Sequence, residues 1–162
     1  MKANIGRACL AGFIATTIVT FMVYFVSPNM TGGPSDLAGM LVGMLSLSWI
    51  FAIGVYYLIG ALIMPIVYAR LLGPWLAGGP VFRGMTWGVT LWLVSQTIIV
   101  PATGGGMFSS ATGGLRVVLE SLVGHLVYGL VFGVWLGAPG EEHSELERRH
   151  PIGSQPHARR AG

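Results

Sequence analysis

The chain has 162 residues, of which 53% are hydrophobic and 9% are charged, and its formal net charge is +3. A typical soluble domain carries about 25% charged residues, whereas only five charged residues lie between positions 8 and 140 here: Asp36, Arg70, Arg83, Arg116 and Glu120. This composition excludes a soluble enzyme domain, a disulfide scaffold and a disordered chain, and it indicates an integral membrane protein.

Four apolar stretches are long enough to cross a bilayer core of about 30 Å, which takes about 20 helical residues. They lie at residues 8–26, 48–69, 84–102 and 117–136. Because lipid offers no hydrogen-bond partner to the backbone, each stretch is expected to be a helix. The predicted fold is therefore all-α, a polytopic membrane protein in which residues 1–137 form a compact bundle of four transmembrane helices.

A short helix at the outer membrane interface is predicted between the first and second spans. Ser35 and Asp36 give an N-cap signal, and apolar residues then repeat at helical spacing. Met40 and Met44 are one turn apart, and because thioethers suit Cu(I) they form a candidate metal site. The alternative interpretation is that both methionines fill gaps in apolar packing. Within the second span, Pro65 predicts a kink.

The fourth span carries small and polar residues at every fourth position, namely Ser121, His125, Gly129, Gly133 and Gly137. Three glycines at this spacing allow a neighbouring helix to approach closely, so this ridge is predicted to be a helix-packing surface. His125 lies on the same ridge and is expected to face the bundle interior. As an intramembrane ionisable residue it is the candidate cofactor ligand, for example of a haem. The alternative is a neutral histidine that joins helices through hydrogen bonds.

Near the start of the fourth span lie Arg116 and Glu120, which are separated by the spacing of an ion pair on a helix surface. Glu120 and His125 are five residues apart and therefore point in different directions. We interpret Arg116 and Glu120 as a structural ion pair rather than as part of a proton relay. No nucleophile, base and orienting acid stand in the arrangement that a hydrolase needs, so no catalytic residue is assigned and a non-enzymatic protein is expected.

The chain changes character after residue 137. Residues 138–162 are rich in glutamate and arginine and predict a charged cytoplasmic tail, partly disordered. Eight of the nine Lys and Arg residues precede the first span, bracket the loop between the second and third, or follow the fourth. The positive-inside rule therefore predicts that both termini lie in the cytoplasm and that the protein resides in the plasma (inner) membrane. The same distribution gives no reason to expect nucleic-acid binding.

Three motifs carry a family resemblance. They are Phe82-Arg83-Gly84, Pro101-Ala102-Thr103-Gly104-Gly105-Gly106-Met107-Phe108 and Gly124-His125-Leu126-Val127-Tyr128-Gly129. Together they resemble an uncharacterised bacterial family of small four-span integral membrane proteins, a domain of unknown function, over residues 5 to 137. Members of that family often have a histidine before the aromatic residue of the second span, where this chain has Ile50. The resemblance implies the four-span fold and brings no activity.

The expected function is that of an accessory or scaffold subunit of a larger membrane complex. The basis is a close-packing ridge and an aromatic-rich exterior, with five Trp, seven Phe and five Tyr, beside few polar residues that could form a path. The expected partners are the lipid bilayer and other membrane-protein subunits, or further copies of the chain, and no cofactor is expected. The alternatives are a small-molecule or copper carrier that uses Met40 and Met44, and a haem-associated redox subunit that uses His125.

Overall fold

The structure, a computed structural model, describes residues 4–28, 39, 42–43, 46, 48–73 and 75–137. Its regular elements within these ranges are helices. Four of them are long and apolar enough to cross a membrane, and they pack together: α1 (Ile5–Val26), α2 (Trp49–Leu72), α3 (Pro80–Ala102) and α4 (Leu115–Gly137). The predicted all-α fold with four transmembrane helices is therefore confirmed. The predicted interfacial helix falls mostly, and the tail entirely, outside the described residues.

The helices begin where the sequence can satisfy the free N–H groups of a first turn. The Asn4 side chain accepts hydrogen bonds from the backbone N–H groups of Gly6, at 3.0 Å, and Arg7, at 3.4 Å. Such a cap offsets the loss of backbone partners at a helix start. Pro80 opens α3, where a missing N–H has no cost. Arg7 and Arg83 thus lie inside helices, in or next to the first turn, and the helices extend beyond the apolar stretches.

The helices pack in the order α3, α4, α1 and α2, each mainly against the next one named. Small residues line the inner face of α1, where Ala8, Ala11 and Ala15 are fully buried. These alanines belong to one core cluster with Tyr128 and Phe132 of α4. Small side chains on one helix therefore receive the large rings of the other.

The bundle has two distinct ends. At the basic end α1 and α3 begin and α2 and α4 stop, so this end carries Arg7, Arg70 and Arg83. The Arg7 guanidinium there donates two hydrogen bonds to the carbonyl oxygen of Trp135 near the end of α4, at 3.2 and 3.1 Å. Positive charge at a helix C-terminus is favourable. The opposite end, called the loop end below, carries the glycine-rich segment of residues 103–114.

Prolines shape three of the four helices in the same way. The residue before Pro28, Pro65 or Pro101 donates its N–H to the carbonyl five residues back, so each helix widens by one residue ahead of the proline. Because proline has no N–H, the carbonyl five residues before each proline loses its helical donor. In α2 that carbonyl belongs to Gly60 and in α3 to Gln96. Each needs a partner from elsewhere.

Helix α2 is the least enclosed of the four. Only 11% of its apolar stretch is buried within the protein, compared with 22% to 28% for the other three helices. It packs on α1, where a methyl group on Gly12 would lie 2.9 Å from the Gly60 carbonyl oxygen. Its backbone makes few contacts with α3, and the ring of Tyr68 bridges the gap. Much of the α2 surface is therefore free of internal neighbours.

Candidate functional site

The tightest helix contact joins α3 to α4 through glycines on both helices. A methyl group on Gly84 would lie 2.6 Å from the Cα atom of Gly133 and closer still to the carbonyl oxygen of Gly129. A methyl group on Gly88 would collide with the carbonyl oxygen of His125. We call these four glycines, Gly84, Gly88, Gly129 and Gly133, the glycine seam. The helices meet backbone to backbone, which only glycine permits.

The structure brings part of the sequence-predicted ridge into this seam. Gly129 and Gly133 are buried in it, and a methyl group on Gly137 would lie 2.6 Å from the Cβ atom of Pro80. Ser121 and His125 lie towards the loop end and are half-buried. Sequence reasoning missed the partners, Gly84 and Gly88, although their spacing of four residues on the third span matches that of the ridge.

The side chain of His125 turns back onto its own helix. Its Nδ1 atom lies 2.7 Å from the carbonyl oxygen of Ser121 and 3.5 Å from the Ser121 hydroxyl. With the proton on Nδ1, the imidazole donates to that carbonyl and Nε2 is left as an acceptor. No second histidine lies within the described helices, so a bis-histidine haem site is not formed from these residues. The assignment of His125 as a cofactor ligand stays a prediction.

Glu120 joins α4 to α1 at the loop end. The Ser27 hydroxyl donates a hydrogen bond to its Oε1 atom, while its Oε2 atom is buried with no hydrogen-bond partner. An unsatisfied buried carboxylate oxygen is costly, and such positions are often occupied by a bound species or a proton. The predicted ion pair with Arg116 stays a prediction. The contact with Ser27 could not be read from helix spacing, because the two residues are far apart in the chain.

A buried amide ties α3 to the loop that follows it. The Ser109 hydroxyl donates to the Oε1 atom of Gln96 at 3.0 Å, and both residues are 1% exposed. Ser109 and its neighbour Phe108 both have positive φ angles, 54° and 49°, which non-glycine residues seldom adopt. Sequence reasoning overlooked Gln96, although it is the only amide side chain in the four spans and could have been singled out for that reason.

Tyr128 supplies the hydrogen bond that Pro65 removes from α2. Its hydroxyl donates to the Gly60 carbonyl oxygen at 2.7 Å, and this is the carbonyl that lacks a helical donor. In lipid such a group must find a partner inside the protein. The contact fixes α2 against α4 and rests on a buried ring, since Tyr128 stacks with Phe132 at 5.9 Å. Pro65 marks the carbonyl in the sequence, but no feature of the sequence indicates the donor.

The remaining candidate ligands are the two methionines of the predicted copper site. Met40 and Met44, the candidate copper site, lie outside the described residues. Within the described ranges, no group of three or more His, Cys, Asp and Glu residues is gathered as a metal site would need. The geometry described above therefore consists of helix-to-helix polar contacts and a close glycine seam.

One comparison with known proteins gives a match. The model of a family of unknown function, DUF6789, matches residues 2–146 and so covers all four helices. Searches of the curated proteins and of the solved structures give no significant match. The family supplies no activity, so the function has to be inferred from the surfaces and contacts of this chain.

Proposed function

The chain belongs to the DUF6789 family of unknown function, and from its own surfaces we propose that it is a non-enzymatic accessory or scaffold subunit, docked on a larger membrane complex through α2. The observation that carries the proposal is the open surface of this helix. Of the four helices, α2 has the smallest share of its apolar stretch buried within the protein. A helix with few internal contacts has the largest area available to a partner.

One face of α2 has the features of a helix-docking surface. Phe51, Gly54, Leu58 and Leu62 recur at helical spacing and are all exposed, with Phe51 70% exposed. A methyl group on Gly54 would have no atom within 4 Å, whereas the seam glycines have no room for one. A glycine among large apolar residues lets a second helix approach closely. We call this set the α2 face.

The proposed location is the plasma (inner) membrane, with both termini in the cytoplasm. Arg7, Arg70 and Arg83 all lie at the basic end of the bundle, and this supports a cytoplasmic basic end under the positive-inside rule. The lipid bilayer and other membrane subunits are then the partners. The loop end, with Glu120 and Ser109, would face the opposite side of the membrane.

The test is gentle detergent extraction of the tagged protein from its native membrane, followed by native mass spectrometry. The expected result is a defined assembly with other membrane subunits. Gly54→Leu should break this assembly, because the added side chain occupies the space that the partner helix needs. Val123→Leu is the matched control, since it enlarges a 51% exposed position on α4, away from the α2 face.

A monomer or a homo-oligomer in the native extract would contradict the proposal. Equal loss of assembly with Gly54→Leu and Val123→Leu would contradict the assignment of the α2 face. The folded state of each variant is checked by its thermal unfolding in detergent, and both should match the unsubstituted protein, because both positions are exposed.

A further inference from the structure

Helices α2 and α3 make few backbone contacts with each other, and a pair of aromatic rings joins them near the basic end of the bundle. The two backbones stay apart, and Tyr68 of α2 reaches across the gap. Its ring centroid lies 5.8 Å from that of Trp87 on α3 and 5.0 Å from that of Phe132 on α4. Tyr68 is 3% exposed and Trp87 is 2% exposed. A buried aromatic cluster of Tyr68, Trp87 and Phe132 therefore joins α2, α3 and α4 where the two backbones stay apart.

Two hydrogen-bond donors of α3 in and beside this cluster have no acceptor. The Nε atom of Arg83 and the Nε1 atom of Trp87 are both buried without a hydrogen-bond partner. Arg83 and Trp87 are one turn apart on α3 and so lie on the same side of it. The Arg83 guanidinium is also close enough to Tyr68 to interact with it electrostatically. Guanidinium and indole groups donate hydrogen bonds and cannot accept them.

The positive charge of Arg83 has no countercharge nearby in the part of the chain that the structure describes. Glu120 is the single acidic residue of those ranges, and it lies at the loop end. A buried donor without an acceptor and a partly buried charge without a partner both have a cost, which a bound anion would remove. The missing component is an anionic hydrogen-bond acceptor.

We propose that Arg83, Trp87 and Tyr68 bind the phosphate group of an anionic phospholipid seated between α2 and α3. Arg83 lies near the end of an apolar helix, where phosphate groups of a bilayer are found, and basic sites between transmembrane helices recognise such head groups. Phosphate accepts several charge-assisted hydrogen bonds from a guanidinium. This proposal is independent of the docking of the α2 face.

The test is a titration of the delipidated full-length protein with phosphatidylglycerol, followed by native mass spectrometry. Diacylglycerol with the same acyl chains, which has no phosphate group, is the reference lipid. Arg83→Gln should weaken phosphatidylglycerol binding about tenfold, as expected for the loss of a charge-assisted hydrogen bond. Arg70→Gln, which removes an exposed arginine at the same end, should change it less than about twofold.

Trp87→Phe is the second variant, because it keeps an aromatic ring in the core and removes only the N–H donor. It should weaken phosphatidylglycerol binding severalfold and leave diacylglycerol binding unchanged. Equal losses in the Arg83 and Arg70 variants would overturn the proposal, since they would indicate attraction by net charge alone. Displacement of the lipid by millimolar inorganic phosphate would also overturn it, because the site would then serve a soluble anion.

Discussion

The glycine seam predicts a large cost for adding one methyl group to α3. In Gly84→Ala the new Cβ atom would lie 2.6 Å from the Cα atom of Gly133 and 2.7 Å from its nitrogen. Favourable contacts between carbon atoms lie at about 3.5–4.0 Å. The helices must therefore separate by roughly 1 Å at this point, and backbone atoms, unlike a flexible side chain, cannot move aside.

The expected loss follows from this separation. Overpacking of a close interface costs about 1–3 kcal/mol, and a gap of about 1 Å forfeits up to half of the dispersion energy of each contact that it opens. The better helix propensity of alanine, about 1 kcal/mol, offsets part of this cost, so we expect Gly84→Ala to lower the free energy of unfolding by about 1–2 kcal/mol. The measurement is reversible unfolding of the purified protein in mild detergent, followed by tryptophan fluorescence and circular dichroism.

Gly54→Ala is the matched control, because it makes the same chemical change where no atom lies within 4 Å. Alanine is a better helix former than glycine by about 1 kcal/mol, so this variant should be as stable as the unsubstituted protein or slightly more so. If Gly84→Ala and Gly54→Ala unfold alike, α3 and α4 do not meet at the seam and the packing order described above is refuted.

Two further predictions concern buried hydrogen bonds. Tyr128→Phe leaves the Gly60 carbonyl without a donor and should lower the free energy of unfolding by about 1–2 kcal/mol. The infrared band of that carbonyl, isolated by a 13C label, should shift to higher frequency in the variant. An unshifted band would show that Tyr128 does not donate to it. Gln96→Leu and Ser109→Ala should each destabilise the protein, while the double variant should lose about 1 kcal/mol less than the two separate losses together. Strict additivity would contradict their contact.

Composition predicts the four helices because the bilayer imposes strong demands on a sequence. A span must be long, apolar and internally hydrogen-bonded, so charge and length locate it. The ends are less well determined. The structure begins α3 at Pro80 rather than at residue 84, since proline is favourable at the first position of a helix and the first turns tolerate a single arginine. A prediction from the apolar stretch alone therefore places the start of α3 too late in the chain.

The pairing of helices is harder to predict than their existence. The ridge on α4 indicates a close contact but not which helix makes it, because any helix with small residues could fit. The hydrogen bond from Tyr128 to Gly60 and the one from Ser27 to Glu120 join residues that are 68 and 93 positions apart. Such pairs depend on the packing order, which hydrophobic periodicity does not contain. The donors left over around Arg83 are visible only once the structure shows which polar groups lack partners.

The most direct test of the accessory-subunit proposal is site-specific photo-crosslinking in intact cells. A photoreactive amino acid replaces Phe51 on the α2 face in one strain and Leu93, which is 44% exposed on α3, in another. If a partner subunit covers the α2 face, position 51 should crosslink to another membrane protein and position 93 should not. Equal crosslinking from both positions, or crosslinks from position 51 to this chain alone, would contradict the proposal.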